Sequence, residues 1–156
     1  MSAEDLVPHA LESAFGEKLI PDGARLLDIG SGAGLPGLPL AIVRPDLAVT
    51  LLEPRGKRAA FLRHAVRAVP VANALILEER VEKLAVAGYD VATVRALGGL
   101  AGKIDRAKFL VKTGALLAWT TEPESVERAL ARVFSLQSVS CVPGSRRRAV
   151  ALFRKR

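Results

Sequence analysis

The chain has 156 residues, half of them apolar and a quarter charged, with a formal net charge of +7 at pH 7. Such a length and composition fit one globular domain over residues 1–156, and no apolar run reaches the ~20 residues of a membrane span. Cys141 is the only cysteine, which excludes an internal disulfide or a cysteine-based zinc site and favours a reducing, cytoplasmic setting. The segment Met1 to Leu11 carries Glu4 and Asp5 and does not read as a signal peptide. A monomer is expected.

In chain order, Arg25 to Ile29 reads as a buried strand followed by glycines. Pro36 fits the first turn of a helix that runs to about Arg44 and stops before Pro45. Ala48 to Glu53 reads as the second strand. Gly56 to Val69 reads as a helix with Ala60, Phe61, Ala65, Val66 and Val69 on or near its apolar stripe, and Arg63 and Arg67 outside it. Ala74 to Glu78 and Asp90 to Val94 are strands three and four. A helix over Gly99 to Val111 follows, then a fifth strand at Ala115 to Thr120. Glu122 to Val133 is a helix with an acidic first turn. The chain finishes on two strand-like runs, Leu136 to Val142 and Ala149 to Arg154, around the turn signal Pro143, Gly144, Ser145. Alternating strands and helices imply a mostly parallel sheet covered on both faces, and the terminal hairpin adds an antiparallel strand. Together they give the α/β, Rossmann-like outline of class I S-adenosylmethionine-dependent methyltransferases, with a seven-stranded sheet.

Charge is unevenly distributed. Residues 1–78 carry a net charge of −1 and residues 79–156 a net charge of +8. The last fifteen residues hold Arg146, Arg147, Arg148, Arg154, Lys155 and Arg156 and no acid. A one-sided basic field suits a polyanion such as RNA, with a solvated basic surface as the plainer reading. Arg146, Arg147 and Arg148, at the hairpin turn, are the expected RNA contacts. If the last strand runs antiparallel, they lie on the edge beyond the carboxyl ends of the parallel strands, with the Arg154 to Arg156 group at the far edge.

The chemistry-bearing segment is Asp28 to Gly37. Gly30, Gly32 and Gly34 at alternate positions let the backbone turn tightly and approach a ligand. In an open α/β sheet that loop lies beyond the carboxyl ends of the strands, where ligands bind, and Glu53 at the end of the second strand can accept ribose hydroxyls. A dinucleotide fingerprint overlaps it, since Gly32 to Gly37 matches G-x-G-x-x-G with Glu53 about twenty residues on. That match starts two residues late for a strand-to-helix turn, leaves no room for a substrate domain, and puts an acid, Asp28, before the first glycine, where methionine recognition is the commoner use. S-adenosylmethionine is therefore the expected cofactor, with Asp28, Gly30, Ser31, Gly32, Gly34 and Glu53 around it; a dinucleotide site and a ligand-free turn are the alternatives.

The run Leu27 to Pro45, with Gly34-Leu-Pro-Gly37 inside it, resembles the bacterial glucose-inhibited division protein B family, whose members are guanine-N7 methyltransferases of small-subunit (16S) ribosomal RNA. The likeness continues through Thr50 to Glu53, Gly56 to Arg58, Phe61 to Arg63, Arg80 to Glu82, Tyr89 to Ala96, His9 to Ser13 and the closing strand. The resemblance implies cofactor contacts at Gly30 and Leu35, a ribose contact at Glu53, adenine flanked by Val81 and Glu82, and Arg95 in the place of the family's arginine, counted among the cofactor-binding residues and a candidate for substrate positioning. It also implies ribosomal RNA or the small subunit as partner. This chain departs from the pattern by lacking the N-terminal helices usual before the His9 segment, and by carrying Trp119-Thr-Thr121 after the fifth strand. A methyltransferase of another substrate and a non-catalytic RNA-binding relative remain the alternatives.

Guanine N7 has an in-plane lone pair, so methylation there needs no general base; the catalytic demand is alignment. Arg95 suits guanine O6 or a phosphate, or a strand-end ion pair. His9 is expected to be structural, Trp119 to pack rather than stack on a base, and Cys141 to be buried.

Overall fold

The computed structural model describes residues 3–69, 71–85, 88–95 and 111–156. Among the described residues, four helices, α1 (Ala3–Ala14), α2 (Gly37–Val43), α3 (Gly56–Ala68) and α4 (Pro123–Leu130), accompany seven strands. The strands are β1 (Arg25–Ile29), β2 (Ala48–Leu52), β3 (Ala74–Leu77), β4 (Tyr89–Arg95), β5 (Val111–Thr120), β6 (Phe134–Cys141) and β7 (Ala149–Lys155). They form one sheet in the order β3-β2-β1-β4-β5-β7-β6. The first five strands are parallel, and β7 is antiparallel to both β5 and β6. The expected strands are all present, with β5 beginning earlier and β6 shifted upstream to Phe134. The helix expected over residues 99–111 lies outside the described residues, except that its last position, Val111, opens β5.

Period-two alternation sends neighbouring strand residues to opposite faces. Leu27 and Ile29 of β1 join Leu116, Ala118, Ala151 and Phe153 under Val126 and Leu130 of α4. Leu26 joins Val49, Leu51, Val91, Leu117 and Val150 under Leu40 of α2 and Leu62 of α3. Both faces are thus covered, as the alternation of elements predicts. Among the described residues no helix is long and apolar enough to cross a membrane.

Two sequence expectations require correction. In α3 the buried positions are Ala59 and Leu62, while Phe61 is half exposed. The apolar stripe is rotated from the one expected because Leu62, not Phe61, faces the sheet with residues one turn away. Arg63 does point outward, donating to Glu78 at 2.8 Å. Cys141 is exposed rather than buried; it ends an edge strand, where only one flank is paired.

Two polar side chains fix the connections around α2. Asn73 Nδ2 lies within donor range of the carbonyls of Ala41, Arg44 and Leu47 at 3.0–3.1 Å, closing the end of the helix. Arg44 donates to the carbonyls of Glu17 and Ile20 and to the carboxylates of Asp22 and Asp46, tying down the segment that leads into β1. Its guanidinium holds the Asp46 carboxyl well below the usual range.

Candidate functional site

The strand order reverses direction at β1, whose neighbours are β2 on one side and β4 on the other. In such sheets the crevice beyond the carboxyl ends at that point is the ligand site. The Gly30 to Gly34 loop leaves β1 there. Gly30 and Ser31 donate their backbone N–H groups to the Leu52 carbonyl at 2.8 and 3.0 Å, folding the loop over the end of β2. Gly30, Gly32 and Gly34 have φ of +72°, +58° and +92°, the left-handed region that only glycine occupies without strain. A Cβ placed on Gly32 would meet no described atom nearer than the Gly30 carbonyl oxygen at 3.7 Å and Arg58 Nη1 at 3.8 Å.

Glu53 sits just past β2 and is 2% exposed. Its Oε2 accepts the Gly32 N–H at 2.9 Å and its Oε1 accepts the Arg55 N–H at 2.9 Å. The carboxylate thus fixes the loop, and each oxygen keeps a second lone pair. Parallel register sets Asp28 of β1 beside Thr93 of β4. Asp28 is 1% exposed; its Oδ1 accepts from the Thr93 hydroxyl at 2.8 Å and its Oδ2 accepts the Gly37 N–H at 3.2 Å. Ser31, also buried, donates its hydroxyl to the Asp28 carbonyl at 3.0 Å. Asp28 and Ser31 therefore support the loop from below and anchor the start of α2. Burial pushes the Asp28 carboxyl up to about 6, helped by the charge of Glu53 and opposed by the hydrogen bonds that the carboxyl accepts from Thr93 and Gly37.

Gly37 is required by this close approach. A Cβ there would run into Leu51 Cδ2 and come within 2.7 Å of Asp28 Oδ2. Gly37→Ala is expected to destabilise the chain by about 2 kcal/mol through overpacking, read as a lower urea midpoint at unchanged m-value.

Leu35 lies in the same loop, its N–H donated to the Ser31 carbonyl at 3.2 Å. Val81 and Glu82 fall in a short helical turn after β3; Val81 is buried in the cluster that holds Ile29 and Leu52, and Glu82 is exposed. The loop, Glu53 and the Val81 turn thus gather at one edge of the sheet.

Arg95 ends β4 on the same edge and is held from the other side by α1. Its Nη2 donates to His9 Nδ1 at 2.9 Å, its Nη1 to Ser13 Oγ at 3.4 Å, and Glu12 Oε2 lies 3.6 Å away. A guanidinium only donates, so in that pair His9 Nδ1 is the acceptor; the same Nδ1 lies 3.3 Å from Glu12 Oε2. Burial lowers the Arg95 pKa; Glu12 opposes that shift and Arg148 adds to it. Trp119, beside Arg95 in register, is 3% exposed and donates its indole N–H to the Glu12 carbonyl at 3.0 Å. It packs as expected and presents no face for stacking.

Thr120, the last residue of β5, pairs with Ala149, the first of β7. The turn bearing Arg146, Arg147 and Arg148 therefore lies at the carboxyl-end edge, and Arg154 pairs with Ala115 toward the opposite end. Arg146 and Arg147 are exposed, while Arg148 Nη1 donates to Glu12 Oε2 at 3.0 Å. Sequence reasoning missed Glu12 and Thr93. Nothing local marks either one; each acquires its partner through strand register or helix placement.

Comparison with known proteins agrees with this architecture. Solved structures of similar fold include a SAM-dependent methyltransferase from Aquifex aeolicus, with a TM-score of 0.76 at 15% identity over 99% of this chain and 93% of that one. Another is a MtNAS mutant in complex with S-adenosylmethionine, with a TM-score of 0.78 at 20% identity over 95% of this chain and 62% of that one. Among curated proteins, the ribosomal RNA small subunit methyltransferase G of Xanthomonas axonopodis pv. citri is 47% identical over 115 residues, 73% of this chain and 54% of that protein. The protein of the same name from Thermobifida fusca is 44% identical over 126 residues, 80% of this chain and 53% of that protein. The chain thus spans about half the length of the curated relatives it matches. The family described as GidB, rRNA small subunit methyltransferase G, matches residues 2–142, and the chain belongs to that family.

Proposed function

We propose that the chain transfers a methyl group from S-adenosylmethionine to N7 of a guanine in 16S ribosomal RNA. The observation that carries this reading is the Gly30 to Gly34 loop bound to the Glu53 carboxylate at the sheet's switch point, in a chain of this family. The residues fit the cofactor. Glu53 keeps one lone pair on each oxygen for a ribose hydroxyl, and the space above Gly32 is clear of described protein atoms to 3.7 Å. When bound, S-adenosylmethionine supplies a methyl group on a sulfonium centre, open to in-line attack. In this reading Gly30, Gly32, Gly34 and Leu35 line the cofactor, Asp28 and Ser31 hold the loop that touches it, and Val81 and Glu82 flank the adenine. Arg95 orients the incoming nucleotide. Methylation at N7 leaves a cationic purine and requires no proton removal, so alignment supplies most of the acceleration.

The reading places the chain in the cytoplasm as a monomer, with the small ribosomal subunit as its partner. The test uses purified protein, labelled S-adenosylmethionine and small subunits from cells lacking this protein, with mass-spectrometric mapping of the methylated nucleotide. One N7-methylguanine in 16S RNA is expected. Cofactor binding with methyl transfer to another acceptor points to a different substrate, and RNA binding with no cofactor binding points to a non-catalytic relative.

RNA contact by the hairpin turn has its own test. Replacing Arg146 and Arg147 with alanine is expected to weaken binding to small-subunit RNA and to lower the slope of log K against log salt by ~0.9 per lost phosphate contact. Cofactor affinity stays the same, and removing Arg154 to Arg156 does less. An unchanged salt slope makes these arginines a solvated turn.

A further inference from the structure

One carboxylate, Glu12, collects two guanidiniums from distant parts of the chain. Its Oε2 lies 3.0 Å from Arg148 Nη1 and 3.6 Å from Arg95 Nη2. The Glu12 side chain is 8% exposed, that of Arg95 22% and that of Arg148 45%. The two guanidiniums and the one carboxylate bring two positive charges and one negative together, and His9 Nδ1 lies 3.3 Å from the same Glu12 Oε2. The surplus charge faces the edge of the sheet where the cofactor loop and the hairpin turn also lie.

The two arginines are held differently. Arg95 is fixed by His9 and Ser13 as well as by Glu12. The Arg148 guanidinium has Glu12 as its one partner among the described residues, and the side chain is nearly half exposed. A guanidinium pairs with a carboxylate or a phosphate through the same fork of N–H donors. We infer that Arg95 and Arg148 form a two-arginine site for a phosphodiester of the substrate RNA, and that Glu12 is its internal stand-in, holding Arg148 in place until the phosphate displaces it. The inference rests on the reading of RNA as substrate. It gives Arg148 a role apart from that of Arg146 and Arg147, and it makes Glu12 a competitor of the RNA rather than a contact.

A double-mutant cycle on the full chain tests it, with a small-subunit ribosomal RNA transcript as probe and binding measured over a range of salt. Arg148→Gln is expected to weaken RNA binding and lower the salt slope by ~0.9. Glu12→Gln keeps a side-chain oxygen near the arginines but removes the competing charge. It is expected to tighten RNA binding by about fivefold, the upper end for an ion pair of this exposure, and the gain is expected to vanish in the Glu12→Gln/Arg148→Gln double variant. Thermal unfolding of each variant, with calorimetric binding of S-adenosylmethionine, shows that the chain is folded. An equal gain from Glu12→Gln with and without Arg148 overturns the site, because it reports bulk charge alone. An unchanged salt slope in folded Arg148→Gln also overturns it, leaving a structural ion pair. Should Glu12→Gln fail to fold, the slope of Arg148→Gln decides alone. A wild-type chain that binds no ribosomal RNA overturns the RNA reading itself, and with it the site.

Discussion

Gly32→Val is expected to abolish S-adenosylmethionine binding, by about a hundredfold or more in Kd, a loss of roughly 3 kcal/mol, while the chain still folds. The two effects separate because of where the missing Cβ would lie. On the protein side it meets no described atom closer than 3.7 Å, so no packing is broken. The backbone at φ +58° is unfavourable for a β-branched residue, costing ~1–2 kcal/mol, which lowers Tm by several degrees in a domain of this size. On the ligand side the side chain enters the space above the loop, where the proposed cofactor lies against the Gly32 backbone and Glu53. Calorimetric titration and far-ultraviolet circular dichroism decide the matter. A folded variant that binds within tenfold of wild type removes Gly32 from the ligand's path.

The second large effect concerns pH. The Asp28 carboxyl titrates at about 6 in the folded chain against an ordinary value of 3.8, with burial as the chief cause. Between those values the folded chain holds a proton that the unfolded chain has released, so stability falls as pH rises. The stability tied to the protonated form is complete below about pH 4 and is lost as the pH passes 6. The shift corresponds to about 3 kcal/mol. Asp46 acts in the opposite sense and in a lower window, because its depressed pKa favours the folded chain until the medium is strongly acid. Urea midpoints at pH 4, 5, 6 and 7 for wild type and Asp28→Asn isolate the contribution, since the variant cannot titrate there. The wild-type curve is expected to fall relative to the variant across that range; parallel curves mean that the carboxyl is not strained by its burial.

Glu53 and the glycine loop were legible in the sequence because their geometry is local. A strand, a glycine run and an acid one strand later require no knowledge of packing. The antiparallel finish was legible for the same reason, from a turn signal between two apolar runs, and the side on which Arg148 emerges follows from strand direction alone. The roles of Asp28 and Arg148 were less so. That Asp28 serves as an anchor depends on Thr93, 65 residues away, which parallel register brings alongside. That Arg148 has a buried partner depends on Glu12, 136 residues away. The apolar stripe of α3 differs from the one expected because helix placement on the sheet turns Leu62 inward and leaves Phe61 outward. Periodicity gives the spacing of a buried stripe, but the phase is set by what the helix lies on.

The placement of β7 between β5 and β6 bears on how the molecule is made. During synthesis β5 and β6 both emerge before the strand that joins them. Until Ala149–Lys155 is available, each presents a row of unpaired backbone groups to the same vacant lane. The last hydrogen bonds of the sheet therefore form between segments that have waited for a third. A nascent chain at that stage carries two open edges, the feature that invites pairing with a neighbouring chain. Interruption of translation just before Ala149 should accordingly yield a product prone to strand exchange and aggregation, whereas the same length of chain removed ahead of β1 would leave that lane filled.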